Sequence, residues 1–242
     1  MKLTKVTFTG VDDNTSVHEM KRLSECFPFI EWGVLFSKSR AGTPKYPSSD
    51  WVEELFWYIQ ACPTMHLSAH VCGKWMRDIL HGSWAFTSRF GYLYDFERIQ
   101  INFHGRQNDL GDVFFGAIER FGRRVSHTFI FPYSDNIVSV LDEAYRRGVD
   151  AVPLFDISEG KGIEPSEWPD TVPYVKNGYS GGLNPDNLEK NLLEIAKKAI
   201  DRDVWIDMET GVRSTDNRFD FSKVLQCIEI IVKLADKGDI LT

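Results

Sequence analysis

Apolar and polar residues change period repeatedly along the chain. Lys5-Val-Thr-Phe-Thr-Gly10 alternates with a period of two, as a β-strand does. Val17, Met20 and Leu23 then share one face, behind Ser16-Val-His-Glu19, a capping-box pattern that opens a helix. Residues 29–36 are almost continuously apolar, as expected of a strand covered on both faces. Trp51, Val52, Leu55, Phe56 and Ile59 return to helical spacing. The exchange continues with a strand at 64–70, a helix at 73–80 and a strand at 96–103. Leu110, Val113, Phe114, Ala117, Ile118 and Phe121 predict a helix, and residues 125–131 a strand closed by Pro132. Ile137, Val140, Leu141, Ala144 and Tyr145 predict another helix with Gly148 as its C-cap signal, and 150–156 reads as a strand. Residues 82–95 are aromatic and irregular and predict no element, and the Pro-rich stretch after Gly162 holds no good helix. Near the C-terminus a short apolar run, 172–175, stands as the strand ahead of Gly178-Tyr-Ser-Gly-Gly-Leu-Asn-Pro-Asp-Asn187. Asn184 reads there as an N-cap and Pro185 as the first residue of a helix running to about residue 200. Residues 204–208 read as a strand and 209–212 as a turn. Phe221, Val224, Leu225, Ile228, Ile231 and Val232 predict a last helix.

Eight strands alternating with about seven helices imply a parallel sheet, and eight such units in one domain favour a closed α/β barrel, the TIM (β/α)8 fold. At 242 residues the chain is close to the ~250 typical of that fold, so residues 1–242 are expected to form a single barrel domain. No Gly-x-Gly-x-x-Gly follows the first strand, which argues against a dinucleotide-binding open sheet. The net charge of −7 argues against nucleic acid and against an anionic membrane surface as partners, while leaving room for a small phosphorylated molecule at a local site. Four scattered cysteines without a Cys-x-x-Cys suggest a reduced, cytoplasmic protein rather than a zinc or disulfide framework. There is no apolar signal segment and no run of about 18 apolar residues. No cofactor is expected, and the chain is expected to be a monomer or homodimer.

In a (β/α)8 barrel the chemistry lies at the C-terminal ends of the strands, and the loops after strands 7 and 8 commonly grip a phosphate. Ser180, Gly181 and Gly182 before one helix, and Thr210 and Gly211 in the next turn, are the candidates for that grip. Their glycines allow close backbone approach, and a helix start offers bare N–H groups. The alternative is a pair of ordinary strand-to-helix turns. Asp156, ending strand 6 beside a Gly-containing loop, is a candidate general acid or base or else a loop cap. Asp207, within strand 8, is a ligand contact or half of a structural ion pair. Arg40, in the loop after strand 2, suits a carboxylate or phosphate, or is simply solvated. His66 and His70 share a strand face and, with His104, could hold a metal. Hydrogen-bonded core histidines are the simpler reading, and no metal is expected. Cys72 reads as a small buried hydrophobe or as a nucleophile.

The order of these pieces resembles phosphoribosylanthranilate isomerase. Gly33-Val-Leu-Phe-Ser-Lys-Ser-Arg40 is similar to that family's strand 2 and Ser-Pro-Arg loop, and Ile99-Gln-Ile-Asn-Phe-His-Gly105 to its Gln-Leu-His-Gly. Leu154-Phe-Asp-Ile-Ser-Glu-Gly-Lys-Gly162 resembles its Leu-Leu-Asp and Gly-Gly-Thr-Gly loop. Ser180-Gly-Gly-Leu-Asn-Pro-Asp-Asn187 resembles its Ala-Gly-Gly-Leu-x-Pro-x-Asn, and Asp207-Met-Glu-Thr-Gly-Val212 its Asp-Val-Ser-Ser-Gly-Val. The resemblance implies a barrel of the ribulose-phosphate-binding type that opens a phosphoribosyl ring in an Amadori rearrangement, with Asp156 as the general acid. It implies substrate contacts from Arg40, His104 and Asp207. The family's base is a cysteine in Lys-x-Cys-Gly; here Thr7-Phe-Thr-Gly10 places Thr9 at that catalytic position. A threonine hydroxyl takes a proton near neutral pH only with a base beside it. Asp12, Asp13 or Cys72 are candidates for that base, and Arg213 replaces the acidic residue that ends the strand 8 motif. The expectation is therefore a sugar-phosphate-binding barrel with isomerase- or lyase-like chemistry. The alternative is a non-catalytic barrel that binds a phosphorylated ligand.

Overall fold

A computed structural model of the chain describes residues 1–83, 95–103, 110–122, 127–156 and 162–242. Eight strands follow one another in order around a closed parallel barrel: β1 (Lys2–Thr9), β2 (Ile30–Phe36), β3 (His66–Val71), β4 (Arg98–Ile101), β5 (Thr128–Pro132), β6 (Ala151–Asp156), β7 (Asn177–Ser180) and β8 (Asp203–Met208). The helices among the described residues are α1 (Val17–Cys26), α2 (Ser49–Ile59), α3 (Gly73–Leu80), α4 (Asp112–Gly122), α5 (Ile137–Arg146), α6 (Leu188–Lys198) and α7 (Phe221–Asp236). The expected TIM barrel is the observed fold. None of these helices is long and apolar enough to cross a membrane.

The strand alternation sorts the core into two regions. Outward positions such as Val6, Phe8, Trp32, Val34, Leu67, Ile99, Phe129 and Ile206 pack with α1–α7 in one large apolar layer. Inward positions are mostly polar, and the apolar cluster inside the barrel is small: Ile130, Val152, Leu154 and Trp205. At mid-depth Glu31 of β2 pairs with Arg98 of β4, whose Nε donates at 2.8 Å, and Thr7 Oγ1 donates to Glu31 at 2.8 Å. The Arg98 guanidinium also lies 3.9 Å from the centre of the Trp205 ring. Burial alone would raise the Glu31 pKa, but the Arg98 charge holds it below the ordinary value.

Local chemistry starts the helices where polar residues allow. Ser16 accepts from the Glu19 N–H at 3.3 Å, and Asp220 accepts from Ser222 N at 2.9 Å to cap α7. The structure departs from the sequence pattern around strand 7. Residues 172–175 are not a strand: the buried Asn177 side chain takes over their backbone, accepting from Val172 N at 2.7 Å and donating to Val175 O at 2.8 Å. The strand begins at Asn177 instead. Gly178 is required there, because a Cβ would lie 2.2 Å from the Trp205 ring. α6 starts at Leu188 rather than at Pro185, since Asn184 closes a turn onto Asp186 N at 2.9 Å before the helix begins. Of the irregular stretch 82–95, residues 84–94 lie outside the described residues.

Candidate functional site

A cavity of about 450 Å³ opens at the C-terminal ends of the strands. One wall is the pair of turns after β7 and β8: Ser180, Gly181, Gly182, Leu183, Thr210 and Gly211 all line it. Gly181 and Gly182 have φ of +130° and +65°, and a Cβ on Gly182 would lie 2.5 Å from Glu164 N. Gly211 is needed for a different reason, since its Cβ would fall 1.9 Å from Leu183 O where the two turns cross. Asn184 Nδ2 and Asn187 Nδ2 both donate to Gly182 O, at 2.9 and 3.1 Å. That pins the peptide carbonyl toward α6, and in a trans peptide the Leu183 N–H points the opposite way. The N–H groups of Gly181, Gly182, Leu183, Thr210 and Gly211 donate to no partner among the described residues. A concave wall that carries unpaired N–H groups can serve as an anion cradle.

Beside this cradle, Asp156, Ser180 and Asp207 stand in register across β6, β7 and β8. Asp207 is only 6% exposed, and Thr9 Oγ1 donates to its Oδ1 at 2.6 Å from β1. Burial pushes the Asp207 pKa up to about 8, and the charges of Glu209 and Asp156 push the same way, while Thr9 and Arg98 oppose them. Asp207 is therefore a neutral acid at pH 7, with Oδ1 occupied by Thr9. Asp156 is half-buried and lines the same cavity. Thr9 lies behind Asp207, buried against Gly33, and does not line the cavity.

Arg40 lines the mouth, where Nη1 donates to Tyr46 Oη at 3.2 Å. His104 lies outside the described residues. Asp12 is far from a free base: Arg213 Nη2 donates to it at 2.8 Å and Lys45 N at 2.8 Å. Burial would raise the Asp12 pKa, but these donors bring it below the ordinary value. Arg213 is accordingly a buried structural clamp, also bonded to Gly10 O and Asn217, and it does not line the cavity. Asp13 accepts from Ser48 N on the exposed side of the loop. Cys72 does line the cavity, but burial pushes its thiol up to about 11. His66 binds Glu97 at the N-terminal end of β3, whereas His70 faces the cavity at the other end, so β3 does not bring them together.

Gln100, Asn102, Lys45 and Tyr46 also line the cavity, and sequence reasoning did not single them out. For Gln100 a signal existed: counting by twos along β4 from the inward Arg98 places it inside the barrel. Lys45 and Tyr46 come from the loop after β2, where no period applies. Lys45 Nζ reaches Glu209 at 2.7 Å and ties that loop to the β8 turn.

The fold has counterparts among solved structures. TrpF from Jonesia denitrificans matches with a TM-score of 0.61 at 14% identity, over 96% of this chain and 98% of that one. Phosphoribosyl anthranilate isomerase from Thermus thermophilus matches at 0.58 and 13%, over 95% and 99%. N-(5'-phosphoribosyl)anthranilate isomerase from Pyrococcus furiosus matches at 0.55 and 14%, over 95% and 99%. At these identities the likeness shows the shared barrel. No protein-family model matches the sequence, and no curated protein does.

Proposed function

We propose that this barrel binds the phosphate of a small sugar phosphate in the β7–β8 cradle and catalyses an isomerase- or lyase-like proton transfer. The observation that carries the proposal is a cavity lined by five residues whose N–H groups have no partner among the described residues, together with two carboxyl groups, Asp156 and Asp207. The names of the three structural counterparts point to the same chemistry. Thr9 donates to Asp207 Oδ1, so the proton of neutral Asp207 resides on Oδ2. Asp207 then protonates a ring or carbonyl oxygen, and the C–O π or σ electrons move onto that oxygen. Asp156 accepts the proton from the neighbouring carbon, whose C–H electron pair forms the new double bond. The register of Asp156, Ser180 and Asp207 across β6, β7 and β8 lets the two carboxyl groups act on one substrate as acid and base. Thr9 serves as a positioning residue for Asp207.

The second reading is a ligand-binding barrel without chemistry. It is favoured by Thr9, whose hydroxyl is committed to Asp207 and leaves strand 1 without a base. A thermal-shift titration with inorganic phosphate and a panel of sugar phosphates tests the common ground: stabilisation should grow with ligand concentration. Proton exchange at the sugar carbons, followed by NMR in D2O, separates the two readings. Asp156→Asn should slow exchange by about a hundredfold or more while sparing phosphate binding. No exchange in the unaltered protein, with phosphate still bound, leaves the non-catalytic reading; no shift with any phosphate removes both.

A further inference from the structure

The cavity has a second end, on the far side of the barrel from the cradle. β3 and β4 lie four strands around from β7 and β8. There a chain of hydrogen bonds runs along the wall. Cys72 Sγ donates to the His70 carbonyl at 3.7 Å, Asn102 Nδ2 donates to Cys72 Sγ at 3.1 Å, and Gln100 Nε2 donates to Asn102 Oδ1 at 2.6 Å. The direction of this chain is set at its carbonyl end, because a carbonyl can only accept. Each group passes its donor along, and the last atom, Gln100 Oε1, is left as an acceptor with nothing to accept. Among the described residues it is buried and unpartnered, and so is Nε2 of His70, its register partner on β3. Both residues line the cavity and are 6% and 2% exposed. Among the described residues, the unpartnered buried atoms of Ser68 and Trp205 lie off it.

Leaving a buried polar atom unpaired costs about 1–3 kcal/mol. Two such residues, register partners on adjacent strands that both line the cavity, mark a position that a ligand group completes. The chemistry of that group is constrained. Gln100 Oε1 needs a donor and repels an anion. Burial holds His70 neutral, with its pKa near 3, so the imidazole supplies no charge to a carboxylate. The cations that line the cavity among the described residues, Arg40 and Lys45, are engaged at the mouth by Tyr46 and Glu209.

We infer that Gln100 and His70 form a specificity site for an uncharged, hydrogen-bonding head group that carries an N–H or O–H donor, joined through its sugar to the phosphate in the cradle. Carboxylate and hydrocarbon heads are disfavoured there. The inference rests on the phosphate reading above and names the other end of the same ligand. Asn102 and Cys72 are positioning residues that keep the Gln100 carbonyl turned inward.

The 5′-phosphates of benzamide riboside and of its benzoate counterpart form a matched pair for the test, differing only in an amide against a carboxylate on an uncharged ring. Ribose 5-phosphate reports the cradle alone. By calorimetric titration the amide should bind at least tenfold more tightly than the acid, and more tightly than ribose 5-phosphate. Gln100→Met should bring amide and acid within about twofold of each other while leaving ribose 5-phosphate unchanged. Cys72→Ala, which frees the Gln100 amide to turn round, should also shrink the discrimination. Equal binding of amide and acid by the unaltered protein, with ribose 5-phosphate bound, overturns the inference and leaves the phosphate reading standing. Failure of all three probes to bind overturns both.

Discussion

Asp207 concentrates several physical effects in one side chain. It sits in the barrel wall, loses its water, and faces like charge from Asp156 and Glu209. The folded chain therefore keeps its proton up to about pH 8, whereas the unfolded chain releases it near the ordinary 3.8. Between those values the folded state binds more protons, so stability falls as pH rises, by up to about 1.4 kcal/mol per unit. Asp207→Asn cannot titrate, and its amide oxygen still accepts from Thr9. The stability of this variant relative to the unaltered protein should rise steadily from about pH 5 to about pH 8, as read by urea unfolding across that range. A flat difference would show that Asp207 ionises like an exposed aspartate. Glu31 and Asp12 titrate below their ordinary values, so their contribution is lost only as the pH falls into the acid range and does not mask the slope.

Among elements, the segment entering β7 depends most on a single side chain. Asn177 is fully buried and bonds the backbone of 172–175 in place of a sheet partner. Asn177→Ala removes these bonds and leaves partly buried backbone groups unpaired, so it should cost about 1–3 kcal/mol in a denaturant titration. The β7 turn lies four residues downstream, so the same variant should weaken the proposed phosphate binding without altering either carboxyl group. A loss below about 0.5 kcal/mol would mean that water replaces the side chain. The failure to place this strand from sequence has the same cause. An apolar run that contains a proline looks like a strand by composition, but its backbone is already bonded by an asparagine two to five residues on. Asn184 misleads in a similar way: its side chain closes a turn on Asp186, one turn before the helix that it seemed to start.

At the scale of the whole molecule, the barrel interior is polar, with charge at its centre. Glu31 and Arg98 belong to strands separated by β3 and are bonded across the interior, with Thr7 completing the contact from β1. A buried pair of this kind contributes little net stability as a pair, but breaking it strands a charge. Arg98→Met should therefore destabilise the protein by about 3–5 kcal/mol in chemical denaturation at neutral pH. The double variant Glu31→Met with Arg98→Met should recover much of that loss. Additive costs in the double variant would show that the pair acts as two separate packing groups.

The alternation of periods determined the barrel, because outward strand positions must bury apolar side chains against helices and each helix must offer a stripe in return. It also marked the turns after β7 and β8, since Gly181, Gly182 and Gly211 leave a local mark in the sequence wherever backbone must come close to backbone. The rest required the closed structure. That Thr9 serves Asp207, that Arg213 and Asp12 neutralise each other away from the cavity, and that Gln100 ends a hydrogen-bond chain with an unused acceptor all involve residues on different strands or loops. Closure of the barrel brings β1 against β8 and so joins residues 198 positions apart. A pKa or an orphaned hydrogen bond depends on such neighbours in space, and these are set by strand register rather than by distance along the chain.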